Sequence, residues 1–248
     1  MTSTTAAPLE GKQRELQQRD ALHLQIARRI FLEEGCHHLT ISRLAKETGF
    51  SRPTLYERFG SKEGLLVELG IQCHGQWMSF LRRASAFPGR PRERMVAIGE
   101  VVRHYAARYA DDLRVLSFSR TDLVLERVSS HLRRRYATLD GQIFQLLQGI
   151  VDDAVGQGDL SCPPGTSAQA LTLTLIALAD GLALATRGSV PLHQLEMADP
   201  VGEIIRSMHV LFDGYGWRPL SSEWDYVDTE RRIHTTLIAE MAHDALEK

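Results

Sequence analysis

From about residue 20 onward, apolar residues recur every three or four positions, the spacing of one helical face, and strand-like alternation bounded by turn residues is absent. The pattern predicts an all-α protein. A first helix over about Asp20–Glu34 turns Leu24, Ala27, Ile30 and Phe31 inward and stops at Gly35, the usual left-handed residue past a helix end. Thr40 is placed to cap a short second helix over about Ile41–Thr48, with Leu39 and Leu44 as a hydrophobic staple around it and Leu44 and Ala45 facing inward. Gly49 breaks that helix and Phe50 is expected in the core. Ser51 caps a third helix with Pro53 in its first turn, where a missing N–H does no harm, and Leu55 and Phe59 point back to the core. Gly60-Ser61 opens a longer fourth helix reaching about Ala86.

Beyond it, Pro and Gly clusters punctuate further helices over about 91–110, 113–118, 130–157, 167–187 and 201–215. The segment 220–248 lies past Gly216-Trp217-Arg218-Pro219. Within it, residues 228–248 carry Ile233, Leu237, Ile238 and Met241 on one face, which predicts an added amphipathic helix whose role the pattern does not state. The organisation expected is a flexible polar arm over 1–18, a small helical head over 19–68 and a larger helical body over 69–248.

The third helix carries the chemistry. Two short helices joined by a tight turn containing Gly form a helix-turn-helix. A plain three-helix core would account for Leu44, Leu55 and Phe59. It would not account for Arg52, Thr54, Tyr56 and Arg58 on the outward positions, donors suited to base edges and phosphates. The charge distribution agrees: residues 1–62 hold ten Lys+Arg against seven Asp+Glu, and the remainder holds 19 against 24, so a basic head sits on an acidic body whose sum is −2.

Other functions are not favoured. No stretch approaches the roughly 20 uninterrupted apolar residues that span a bilayer, so no membrane partner is expected. The N-terminus lacks an apolar signal core, and Cys36, Cys73 and Cys162 are odd in number and far apart, which together suggest a reduced, cytoplasmic protein. Cys36-His37-His38 cannot all face one ion from a short loop, so no metal and no cofactor are expected. Gly-rich phosphate loops, GxSxG and HExxH motifs are absent, so an enzyme is not expected.

The run LTISRLAKETGFSRPTLYERFGSKEGLLVEL, with its Thr-Ile start, Ala-x-x-x-Gly turn, Thr-Leu-Tyr, Phe and Ser-Lys-Glu, resembles the N-terminal signature of the TetR (AcrR-type) transcription regulators over residues 20–70. The resemblance implies roles. Thr40 and Ser42 would touch phosphate, with Arg43 close by; Ser51, Arg52, Pro53 and Thr54 would enter the major groove. Tyr56 would bond a phosphate, Arg58 another phosphate or a base, and Lys62 the backbone at the positive end of the fourth helix. Arg52 is the candidate for base readout, since Arg pairs bidentately with guanine. The sequence departs from many relatives at Glu57-Arg58, which puts specificity at that edge in question.

Such a head works as a dimer on double-stranded DNA, with two recognition helices about 34–36 Å apart. The dimer candidates are the two long apolar helices near the C-terminus, through Leu171, Leu175, Leu178 and Leu182 and through Ile205, Met208 and Phe212. The resemblance also implies a cavity for a small-molecule effector, for which Trp77, Phe80, His104, Tyr105, Phe118, Arg120, Tyr136 and Phe144 are candidates. The expected function is a repressor that an effector releases from a palindromic operator. A ligand-independent or protein-controlled activator of the same fold is the alternative.

Overall fold

A computed structural model describes residues 7–185 and 199–246. Among them every regular element is helical: α1 (Ala7–Glu33), α2 (Ile41–Thr48), α3 (Arg52–Phe59), α4 (Lys62–Ser85), α5 (Pro91–Arg108), α6 (Ala110–Ser119), α7 (Asp122–Leu125), α8 (Ser130–Gly156), α9 (Ala168–Ala185), α10 (Pro200–Gly214), α11 (Tyr226–Ile233) and α12 (Ala239–Leu246). The chain divides into two units, Met1–Cys73 with Arg114–Tyr136, and His74–Leu113 with Ala137–Lys248.

Two boundaries differ from the sequence pattern. Helix α1 begins at Ala7, not near Asp20, so the 7–18 stretch read as a flexible arm is helical. Leu, Glu, Lys, Gln and Arg are strong helix formers, no β-branched residue interrupts them, and Pro8 sits in the first turn where it is tolerated. The stretch has no apolar period because residues 14–19 are solvent-exposed. The second difference is that Arg114–Tyr136, expected in the body, belongs with the N-terminal unit.

In the first unit α1 packs on α2 and α2 on α3. Ala27 and Ile30 of α1, Leu39, Leu44, Leu55 and Leu65 are wholly buried and form the core. Phe118 lies against Phe31 with ring centroids 5.4 Å apart, and Arg114 stacks on that ring while donating to the Leu32 carbonyl at 3.0 Å. Gly70 is a packing requirement here: a Cβ would sit 2.2 Å from Ser119 Oγ and 3.0 Å from the Tyr136 ring. Those two residues share a buried hydroxyl contact of 3.0 Å.

The second unit is organised around α5, which packs against α10 and α11. Its Arg92 is completely buried, as are Val101 and Tyr105. The C-terminal run starts at Tyr226, where Asp225 accepts the Asp228 N–H at 3.0 Å, and it passes through one wide π-type turn over His234–Ile238. Tyr226, Ile233, Leu237 and Met241 face inward, so the amphipathic segment is part of this core.

Candidate nucleic-acid interface

Local signals position the two short helices. Thr40 is extended (φ −133°, ψ 154°) and its Oγ1 accepts the Arg43 N–H at 3.1 Å. Gly49 ends α2 at φ +75°, a region that costs an L side chain but not glycine. Ser51 caps α3, accepting the Thr54 N–H at 3.3 Å, and its hydroxyl lies 2.7 Å from Thr54 Oγ1. That pairing engages the Thr54 hydroxyl.

Helix α3 turns only Leu55 and Phe59 into the core; Ser51, Arg52, Pro53, Thr54, Tyr56, Glu57 and Arg58 are all exposed. Among the described residues, the side chains of Arg52, Tyr56 and Lys62 make no hydrogen bond or ion pair, so these donors are available to an incoming ligand. Lys62 opens α4, whose first turn is capped by Ser61 Oγ accepting the Gly64 N–H at 3.0 Å. Ser42 is half-buried at the start of α2.

Two of the expected contacts are already occupied. Arg43 donates from Nε to Glu47 at 2.7 Å and from Nη2 to Glu34 at 3.2 Å, and Arg29 also pairs with Glu47. Arg58 donates to Asp20 at 2.8 and 3.0 Å, lies 3.5 Å from Glu68 and stacks over the Phe59 ring. The Asp20 hydrogen bond raises the Arg58 pKa despite burial. Phe50, expected in the core, is half-buried, and Ala45 is half-exposed. Phe50 packs edge-on against His23, which is buried in the head and was not anticipated from the sequence because a lone His on an apolar face carries no periodic signal. A cleft of about 530 Å³ adjoins the C-terminal end of α3, lined by Arg58, Ser61, Glu68, Arg127, His131 and Arg135 among others.

The body candidates separate. In the second unit, Trp77 and Phe80 lie 4.7 and 5.7 Å from the Tyr105 ring, and His104 lies 6.3 Å from Tyr109. Tyr109, which sequence reasoning passed over, stacks on Tyr105 at 4.9 Å. Burial and the nearby Arg108 lower the His104 pKa. Phe144 is half-buried on α8. Phe118, Arg120 and Tyr136 belong to the first unit, Arg120 on its surface.

The dimer candidates divide by their exposure. Leu171, Leu175, Ile205 and Phe212 are at most 5% exposed within a single chain, so they build the unit's own core; Met208 is half-buried. The side chain of Leu182 lies outside the described residues. Among the described residues of α9 and α10, the large apolar side chains that face outward are Leu178, Leu173 at 61% and Val210 at 73% exposure. Val210 lines a shallow groove of about 490 Å³ with Ser207, Leu211 and Gly214. Among the described residues there is no group of three His, Cys, Asp or Glu placed to hold a metal, and no helix is long and apolar enough to cross a membrane.

With this geometry in place, the chain can be set beside known proteins. Residues 24–69 match the family described as bacterial regulatory proteins, tetR family. A fatty acid metabolism regulator protein of Bacillus subtilis (strain 168) is 22% identical over 132 residues, a match that spans 53% of this chain and 65% of that relative's length. A bacterial regulatory protein of the tetR family from Rhodococcus RHA1 superposes with a TM-score of 0.61 at 17% identity, covering 80% of this chain and 97% of the other. AibR, solved in complex with isovaleryl coenzyme A and operator DNA, superposes with a TM-score of 0.55 at 13% identity, covering 77% of this chain and 95% of the other. At such identities the two solved structures establish the fold.

Proposed function

We propose that this chain, a tetR-family regulator by its residues 24–69, is a homodimeric repressor that a small molecule releases from a two-fold symmetric operator. The observation that carries the reading is the outward face of α3. Arg52, Thr54 and Tyr56 project from a helix held by two core residues, and among the described residues no hydrogen-bond or ion-pair partner claims Arg52 or Tyr56. Arg52 reads a base edge, the Thr54 methyl meets a thymine, and Tyr56 with Lys62 at the α4 N-terminus fixes the register through phosphates. Thr40, Ser42, Ser51 and Pro53 form the surrounding backbone contact. Arg43 and Arg58 are held by carboxylates, so they act first as struts of the head and contact DNA only on exchanging those partners.

The dimer buries the outward faces of α9 and α10 around Leu173, Leu178 and Val210. The effector is assigned to the second unit, with the packed ring cluster of Trp77, Phe80, Tyr105 and Tyr109 as the place where an apolar organic molecule would insert. Two of the relatives above carry names tied to fatty acid or acyl-coenzyme A chemistry, which makes acyl compounds the first class to screen. The protein works in the cytoplasm, beside its DNA, without a catalytic centre.

The test is a gel shift of the purified chain on the intergenic DNA upstream of its own gene, against scrambled competitor, across a salt series. Selective, salt-sensitive binding to a two-fold symmetric site is expected. Equal affinity for operator candidate and scrambled DNA, on that fragment and on duplexes enriched from a random pool, would overturn the reading.

A further inference from the structure

Taking α3 as the DNA-reading helix, as proposed above, we propose that Glu68 and Arg135 are positioning residues for operator recognition, acting on α3 through Arg58. Four side chains from four helices join in series within the first unit. Asp20 of α1 receives Arg58 of α3 at 2.8 and 3.0 Å. Arg58 Nη1 reaches Glu68 of α4 at 3.5 Å, and both Glu68 oxygens accept Arg135 Nη1 of α8 at 3.0 Å.

Three features make this series more than a set of surface pairs. Glu68 is only 9% exposed, so its carboxylate carries a desolvation cost that an apolar residue there would avoid. Arg58 folds back over Phe59, so its guanidinium is spent on the protein and ties down the C-terminal end of α3. Helix α3 is eight residues long with two core anchors, too short to hold an orientation by itself. Arg52 stands about 9 Å along the axis from Arg58 at 1.5 Å per residue, so a tilt of about 10° about that end displaces Arg52 by about 1.5 Å. A shift of that size breaks a hydrogen bond to a base.

The input to the series is Arg135, in the second turn of α8. That helix is continuous to Gly156, and from Ala137 onward its residues belong to the second unit. One turn earlier on α4 a parallel strut joins Glu63 to Arg127 at 3.5 Å. Both struts border the 530 Å³ cleft, so Arg135 has open space to move into. Displacing α8 therefore alters the hold on Glu68, and through Arg58 the aim of α3.

The experiment uses the full chain with Glu68→Gln, Arg135→Met and the double variant, on a duplex enriched by the wild-type protein from a random pool and on a scrambled duplex. Each single variant is expected to lower affinity for the enriched duplex about tenfold, to leave the scrambled duplex unchanged, and to leave the thermal midpoint near wild type. The double variant should be no weaker than either single one. Loss on both duplexes in step with the midpoint, additive losses, or no loss at all would overturn the proposal. A second readout needs no DNA. Amide hydrogen exchange over residues 52–59 should rise in Arg135→Met while that of α5 stays constant, and an unchanged rate over 52–59 would equally overturn it. If the wild type enriches no sequence, the operator-binding reading fails, and the exchange result still decides the relay.

Discussion

Arg92 Nη1 donates to Asp213 Oδ1 at 2.7 Å from a guanidinium with no exposed surface, a contact spanning 121 positions of the chain. The same group also donates to the carbonyls of Trp217, Pro219 (2.8 Å) and His209 (3.3 Å) and to Ser221 Oγ (3.0 Å), and it stacks on the Tyr226 ring. Burial pushes the Asp213 carboxyl up, but hydrogen bonds from Ser221 and Arg92 outweigh it and hold the group below its usual range. One arginine thus ties α5, α10 and the loop before α11 into a single core. Arg92→Met should cost about 3–5 kcal/mol, because the carbonyls it satisfies are left buried and unpaired. Urea unfolding followed by circular dichroism measures it, and a loss below about 1 kcal/mol would show that the loop is held by other means.

Arg52 and Lys62 should separate in their effects on DNA binding, because only the first has a reach suited to base edges. Arg52→Ala should weaken the enriched sequence by about 1–3 kcal/mol and scarcely change scrambled DNA. Lys62→Ala should weaken both alike and reduce the slope of log affinity against log salt by about one. Fluorescence anisotropy across a salt series checks both. Parallel losses in Arg52→Ala would reassign that residue to the backbone.

Much of the head was legible because its signals are local. Thr40, Gly49, Ser51 and Pro53 each act within one turn, and the structure uses them as caps and breaks. The Arg58–Asp20 pairing joins residues 38 positions apart, and no periodicity announces such a contact. The return of Arg114–Tyr136 to the first unit was hidden for a similar reason: apolar spacing marks that a face is buried, not which core buries it. The same ambiguity leaves the leucines of α9 undivided between core and surface. In α9 both faces are apolar, so Leu171 and Leu175 read like Leu173 until burial distinguishes them.

That distinction yields a prediction for assembly. Leu173→Glu and Val210→Glu alter exposed side chains, so each should leave helicity and unfolding intact while shifting the protein to monomer in sedimentation equilibrium. Operator affinity should fall about tenfold or more, since a lone head reads one half-site. Leu175→Ala should do the opposite, costing about 2–5 kcal/mol of stability through a core cavity while the folded protein remains dimeric. A dimer that survives both glutamate substitutions would place the interface elsewhere.

His23 should make the stability of the head sensitive to pH. Its ring lies edge-on to Phe50 at 4.6 Å and to Phe59 at 5.9 Å, it is 4% exposed, and neither nitrogen has a hydrogen-bond partner among the described residues. Burial lowers its pKa below 6.5; Asp20 opposes this, while Arg58 and Arg19 reinforce it. The folded head therefore holds a neutral imidazole, and below pH 6.5 the unfolded chain takes up a proton that the folded one resists. The contribution is complete above that pH and is lost as pH falls through it. The thermal midpoint should drop between about pH 7.5 and 5.5, and His23→Leu, which keeps an apolar side chain between the two phenylalanines, should flatten part of that drop. Because Phe50 lies just before α3 and Phe59 is its last residue, the same acidification should weaken DNA binding by the wild type more than by the variant. Identical pH slopes for the two proteins would show that His23 titrates alike in the folded and unfolded chain.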